Sequence, residues 1–129
     1  MKTEKKREPH PAREEKITLC IRLAEEKKAE EILVLDLRGI SSVTDYFFVC
    51  HGTSDRHVLA IADHILEMMK KTGYKVLGVE GYPEARWVLL DFGDLVVHIF
   101  YDENRRFYQL EKLWGHAAQI HPPLEEASN

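Results

Sequence analysis

Few side chains in this 129-residue chain have the types and spacing that catalysis requires. The turn at residues 52–54, Gly-Thr-Ser, lies between a predicted strand and a predicted helix, where backbone N–H groups could receive a phosphate. Magnesium-dependent nucleotidyl transfer would also need two closely spaced carboxylates on a following strand. The candidates, Asp91 and Asp94, straddle a predicted hairpin turn and form no Asp-x-Asp pair. An enzyme that uses them, with His98 if it is a hydrolase, is therefore kept only as an alternative hypothesis.

Histidine and cysteine give weaker indications of chemistry. His57 and His64 could share one face of a predicted helix, but no HExxH or Cys-x-x-Cys motif accompanies them. Cys50 and His51 are adjacent on a predicted strand and point to opposite faces, which excludes a direct nucleophile–base pair. Cys20 and Cys50 both lie in apolar segments, which predicts buried thiols. We therefore expect no metal, no cofactor and no catalytic residue.

Hydrophobic periodicity predicts the elements that would position these residues. The predicted strands are Glu30–Leu37, Tyr46–Cys50, Lys75–Glu80, Arg86–Phe92 and Leu95–Tyr101. The predicted helices are an amphipathic stripe from Ile17 to Lys28, a helix capped by Ser54 or Asp55 and by Gly73, and a last helix that begins at Asp102 and carries Phe107, Leu110 and Trp114. A helix between strands implies some parallel pairing. We predict one α+β domain with a mixed five-stranded sheet.

The last two strands carry the sharpest prediction. Their two-residue loop, Gly93-Asp94, has glycine first, which is typical of a type II′ hairpin and fixes the register. One face of the hairpin then holds only apolar side chains, namely Val88, Leu90, Phe92, Leu95, Val97 and Ile99. The opposite face holds Trp87, Leu89, Asp91, Val96, His98 and Phe100. We expect the first face to be the core, with Leu90 buried more deeply than Leu89.

The second face of the hairpin has two interpretations. It could be covered, by the first helix or by a second copy of the chain. It could instead be an exposed docking surface, because aromatic side chains and a histidine rimmed by charge are typical of interface hot spots.

Net charge limits the partners and the location. Residues 1–16 carry six Lys or Arg and four Glu, so they have a net charge of +2 and residues 17–129 a net charge of −6. An acidic body lacks the clustered cations that grip a nucleic-acid backbone, and fits a basic protein partner better. No apolar run approaches membrane-spanning length, and the start of the chain does not resemble a secretory signal. We expect a cytoplasmic protein with a disordered charged leader at 1–16 and a flexible tail at 116–129.

Four segments occur in a fixed order: SSVTDYFFVCHGTSDRHVLAIADHI at residues 41–65, GVEG at 78–81, WVLLDFGDLVVHIF at 87–100 and RRFYQLEKLW at 105–114. Together they resemble the ribosomal silencing factor family, also called Iojap-like proteins. The resemblance covers about residues 17–115, which we take as the family's domain.

The resemblance implies a translational repressor and not an enzyme. It implies binding to the large ribosomal subunit through ribosomal protein fourteen, which blocks joining of the small subunit when nutrients are short. It also implies a nucleotidyltransferase-like fold without the catalytic acids, and a homodimer when free. A generic dimeric adaptor is a further alternative. The predicted partner-binding residues, from the matching block and the second hairpin face, are Trp87, Leu89, Asp91, Asp94, His98 and Phe100.

Overall fold

The computed structural model describes residues 11–102 and 117–121. Within these residues the helices are α1 (Pro11–Glu26) and α2 (Asp55–Thr72). The strands are β1 (Glu30–Asp36), β2 (Tyr46–Gly52), β3 (Gly78–Glu80), β4 (Trp87–Asp91), β5 (Leu95–Tyr101) and β6 (Ala118–His121). They form one sheet in the order β3-β4-β5-β2-β1-β6. The β2–β5 pair is parallel and the other pairs are antiparallel.

This architecture confirms the predicted α+β domain with a mixed sheet, but the sheet has six strands and not five. The helix predicted from Asp102 lies outside the described residues. Neither α1 nor α2 is long and apolar enough to cross a membrane.

Parts of the two segments that were predicted to be flexible ends, residues 11–16 and 118–121, lie in a helix and a strand. α1 begins at Pro11, where proline is favourable because the first residue of a helix needs no N–H partner. Lys16 of this segment donates to Asp94 at 2.7 Å, although it was assigned to the leader. Residues 118–121, assigned to the tail, pair with β1 as the sixth strand. Composition did not reveal that strand because an edge strand is held mainly by backbone hydrogen bonds, which require few apolar side chains.

Helix α2 matches its prediction at both ends. The Ser54 hydroxyl accepts the His57 N–H at 3.0 Å, and Gly73 closes the helix with a φ of 101°. The buried stripe of α2 consists of Val58, Ile61, Ala62, Ile65 and Met69. This stripe packs with α1 on one face of the sheet and forms the main core.

The β4–β5 hairpin has the predicted register. Trp87 pairs with Phe100 and Leu90 with Val97, and Gly93 has a φ of 92°, the positive value that the first position of a type II′ turn requires. Leu90 is fully buried, whereas Leu89 is only partly buried. The apolar face of the hairpin therefore lies under the helices, as its residues predicted.

Candidate functional site

The outer face of the sheet, defined as the face opposite α1 and α2, carries the candidate partner-binding residues. It is not uniformly exposed. Over β1, β2 and β5 it forms a second buried cluster, which contains Leu33, Leu35, Leu37, Val49 and Phe100. It opens at β4, where Trp87 is 36% exposed and Leu89 is partly exposed. The accessible surface is therefore narrower than the hairpin pattern indicated.

Trp87 is the exposed aromatic side chain of β4, and it is held from two sides. Its indole Nε1–H donates to His98 Nδ1 at 3.0 Å. Its ring lies on Phe100, with 5.1 Å between ring centroids and a tilt of 31°. A fixed, partly exposed aromatic ring is a suitable anchor for a protein partner, because little conformational entropy remains to be lost on binding.

His98 and Phe100 lie behind Trp87 and not on the surface. Their exposed fractions are 3% and 0%. A partner on this face therefore has little direct contact with either side chain. The alternation along β5 identified the face on which these two residues lie, but alternation carries no information about what covers a face.

Asp91 and Asp94 belong to the hairpin turn. Asp91 Oδ1 accepts the Gly93 N–H at 2.8 Å. The Asp94 carboxylate instead accepts from Lys16 of α1 at 2.7 Å, so it is directed toward the helix side of the sheet. The Thr44 hydroxyl donates to the Gly93 carbonyl at 3.0 Å and ties the turn to the start of β2. Of the two acids, only Asp91 shares the outer face with Trp87.

The side chains that could have indicated catalysis have structural partners. His57 Nδ1 accepts the Thr53 N–H at 2.9 Å and its Nε2 donates to the Lys27 carbonyl at 2.7 Å, which ties the 52–54 turn to the end of α1. His64 contacts Glu26 at 2.8 Å. Within residues 11–102 and 117–121, no group of three or more His, Cys, Asp or Glu side chains could hold a metal ion.

Both cysteines are buried, as their apolar surroundings predicted. Burial raises the pKa of Cys50 to about 12 and raises that of Cys20 as well. A thiol with a raised pKa is rarely a thiolate near neutral pH and is a poor nucleophile. His51 lies on the outer face and Cys50 in the helix-side core, so the two do not form a catalytic pair.

His98 gives a pH-dependent prediction. Burial lowers its pKa to about 4, from an ordinary value of 6.5. Between these two pH values His98 takes up a proton in the unfolded chain but not in the folded protein. The free energy of unfolding therefore has its full value above about pH 6.5 and decreases as the pH falls toward 4. We expect the wild type to lose about 3 kcal/mol more than His98→Leu over this range. Urea unfolding of both proteins at stepped pH measures the difference, and parallel profiles would contradict a buried, neutral histidine.

Comparison with known proteins identifies relatives along nearly the whole chain. The model of the family "Ribosomal silencing factor during starvation" matches residues 9–129. The Bacillus subtilis protein named ribosomal silencing factor RsfS is 54% identical over 93 residues, which are 72% of this chain and 79% of that protein. A crystal structure of a Bacillus halodurans protein superimposes with a TM-score of 0.76 at 40% identity and covers 84% of this chain and 98% of that one.

A more distant relative comes from Mus musculus. It is named mitochondrial assembly of ribosomal large subunit protein 1 and is 33% identical over 101 residues, which are 76% of this chain and 44% of that protein. The family match extends beyond the residues 17–115 on which the resemblance was first based, and it includes β6. The chain belongs to the ribosomal silencing factor family.

Proposed function

We propose that this protein represses translation in the cytoplasm by binding the large ribosomal subunit and blocking the joining of the small subunit. The partner on the large subunit is ribosomal protein fourteen, as the resemblance implied. The main support for the proposal is the family match over residues 9–129, because the description of that family refers to ribosomal silencing during starvation. The name of the mouse relative, which refers to the large subunit, supports the choice of subunit.

The surface around Trp87 supports a protein partner. Trp87 and Leu89 are accessible on β4, and Asp91 lies at the end of the same strand. Residues 17–129 carry a net charge of −6, which would steer a basic partner toward the protein. We propose that Trp87, Leu89 and Asp91 contact the partner, whereas His98 and Phe100 support Trp87 from below and Asp94 holds the turn.

Steric blocking is the mechanism that this arrangement favours. The two acids considered for catalysis stabilise the hairpin turn. Asp91 accepts the Gly93 N–H, and Asp94 accepts from Lys16 of α1. A 15.0 kDa protein bound at the surface where the subunits meet would prevent their contact without any chemical step. The nucleotidyltransferase and hydrolase alternatives find no support in these contacts.

Sucrose-gradient sedimentation tests the proposal. The protein is mixed with purified small subunits, large subunits or joined ribosomes, and its position in the gradient is followed by immunoblotting. We expect it to travel with large subunits and not with joined ribosomes. Sedimentation with joined ribosomes or with small subunits would contradict the proposal.

Asp91 gives a prediction about charge. Asp91→Asn removes the negative charge but keeps an oxygen that can accept the Gly93 N–H, so the turn should persist. We expect a modest loss of affinity for large subunits and a weaker dependence of binding on salt, because steering of a basic partner is screened by ions. Binding is measured at several potassium chloride concentrations. A salt dependence equal to that of the wild type would exclude Asp91 from the contact.

A further inference from the structure

The histidine beneath the exposed indole lowers the stability of the fold relative to an apolar residue at the same position. His98 lies in the middle of β5, is 3% exposed and contacts aromatic rings. Because Trp87 Nε1 can only donate, His98 Nδ1 must accept, and the imidazole proton is then on Nε2. In the part of the chain that the structure describes, this buried Nε2 has no hydrogen-bond partner. A buried donor without a partner costs stability, so packing alone would favour leucine or phenylalanine here.

The same histidine is held rigidly. Phe47 meets its ring edge-on, with centroids 4.5 Å apart and an interplanar angle of 72°. Phe100 lies nearly parallel to it, at 6.3 Å and 9°. An imidazole fixed on two sides offers its Nδ1 in one direction. The hydrogen bond of 3.0 Å to Trp87 therefore sets the orientation of the indole.

This hydrogen bond joins two residues that are not directly paired in the hairpin. Trp87 is directly opposite Phe100, whereas His98 is opposite Leu89, so the indole reaches diagonally to the neighbouring row. Trp87 remains 36% exposed with this bond formed. The N–H, which is the indole's one polar group, is used inside the protein.

We infer that His98 is a positioning residue of the docking surface, which fixes the orientation of the Trp87 ring through the bond to its Nε1–H, so that a partner recognises the indole face and not the indole N–H. The inference rests on the proposed function, because it concerns the same surface. It specifies which kind of chemical group on the partner contacts Trp87. The partner group that covers Trp87 is an aliphatic chain or the flat face of a planar side chain. It is not a hydrogen-bond acceptor directed at Nε1.

Three variants test this inference by affinity for large subunits. His98→Leu suits the apolar surroundings but cannot accept the N–H, so we expect a stable fold and an affinity lowered about fivefold to tenfold. His98→Asn places an amide oxygen near the position of Nδ1, so we expect it to restore most of the affinity. Trp87→Phe keeps an aromatic face but cannot form the bond to His98, so we expect a loss of affinity similar to that of His98→Leu and smaller than that of Trp87→Ala. His64→Leu, a matched change on α2 away from the outer face, should bind like the wild type.

A spectroscopic signature separates positioning from general stability. The indole ¹H–¹⁵N resonance of Trp87, assigned by its loss in Trp87→Phe, should move in His98→Leu and return toward its original position in His98→Asn. Wild-type affinity in folded His98→Leu would overturn the inference. So would a Trp87→Phe variant that binds as weakly as Trp87→Ala, since the partner would then use the N–H. Wild-type binding by Trp87→Ala would instead show that the proposed docking surface itself is wrong.

Discussion

Leu90→Ala is expected to lower the free energy of unfolding by about 2–5 kcal/mol. Leu90 is fully buried on the helix side of β4, where it belongs to the cluster built from both helices and the sheet. Removing its side chain takes away apolar contacts and leaves a cavity that a closely packed core fills only in part. Guanidinium unfolding followed by circular dichroism measures the change from the shift of the midpoint.

The neighbouring residue provides the control. Leu89→Ala makes the same chemical change one position along β4, on the outer face, where the side chain is only partly buried. We expect it to cost clearly less stability than Leu90→Ala, because less apolar surface returns to water. Equal losses in the two variants, or a larger loss in Leu89→Ala, would show that the two faces of the hairpin have been assigned wrongly.

Trp87→Ala is expected to weaken binding to the large subunit by about thirtyfold or more. An aromatic anchor at the centre of an interface is typically worth about 2 kcal/mol, and each 1.4 kcal/mol changes affinity about tenfold. The indole is partly exposed and lies outside the helix-side core, so the fold should survive its loss. Affinity is measured by co-sedimentation at graded protein concentrations.

The controls for Trp87→Ala address folding and position. Far-ultraviolet circular dichroism and the unfolding midpoint establish that the variant is folded. Val79→Ala changes another exposed apolar side chain, which is 40% exposed but pairs with Leu90 and so faces the helix side of the sheet. It should bind like the wild type. A loss in Val79→Ala as large as that in Trp87→Ala would place the contact on the edge of the sheet and not on its outer face.

The sequence predicted the hairpin closely because the relevant physics is local. A two-residue loop that starts with Gly93 leaves one register, and strict alternation then assigns every side chain to a face. The caps of α2 were equally local, since Ser54 and Gly73 act on backbone groups within a few residues. These features required no knowledge of the remaining chain.

The candidate site was predicted only in part because burial depends on distant segments. The residues that share the second hairpin face were predicted correctly. However, His98 and Phe100 are buried, and the Asp94 carboxylate is directed toward α1. The Lys16–Asp94 pair joins residues that are 78 positions apart, and no spacing pattern reveals such a contact. The same reason explains β6, whose partner β1 lies far along the chain.

Subunit joining, followed by light scattering, is the measurement that tests the central claim most directly. Purified large subunits are incubated with the protein at saturating concentration, and small subunits are then added. The proposed mechanism predicts that the wild type suppresses the rise in scattering and that folded Trp87→Ala does so only at far higher concentration. A normal rise in scattering with saturating wild type would contradict steric blocking, and equal suppression by both proteins would remove Trp87 from the docking surface.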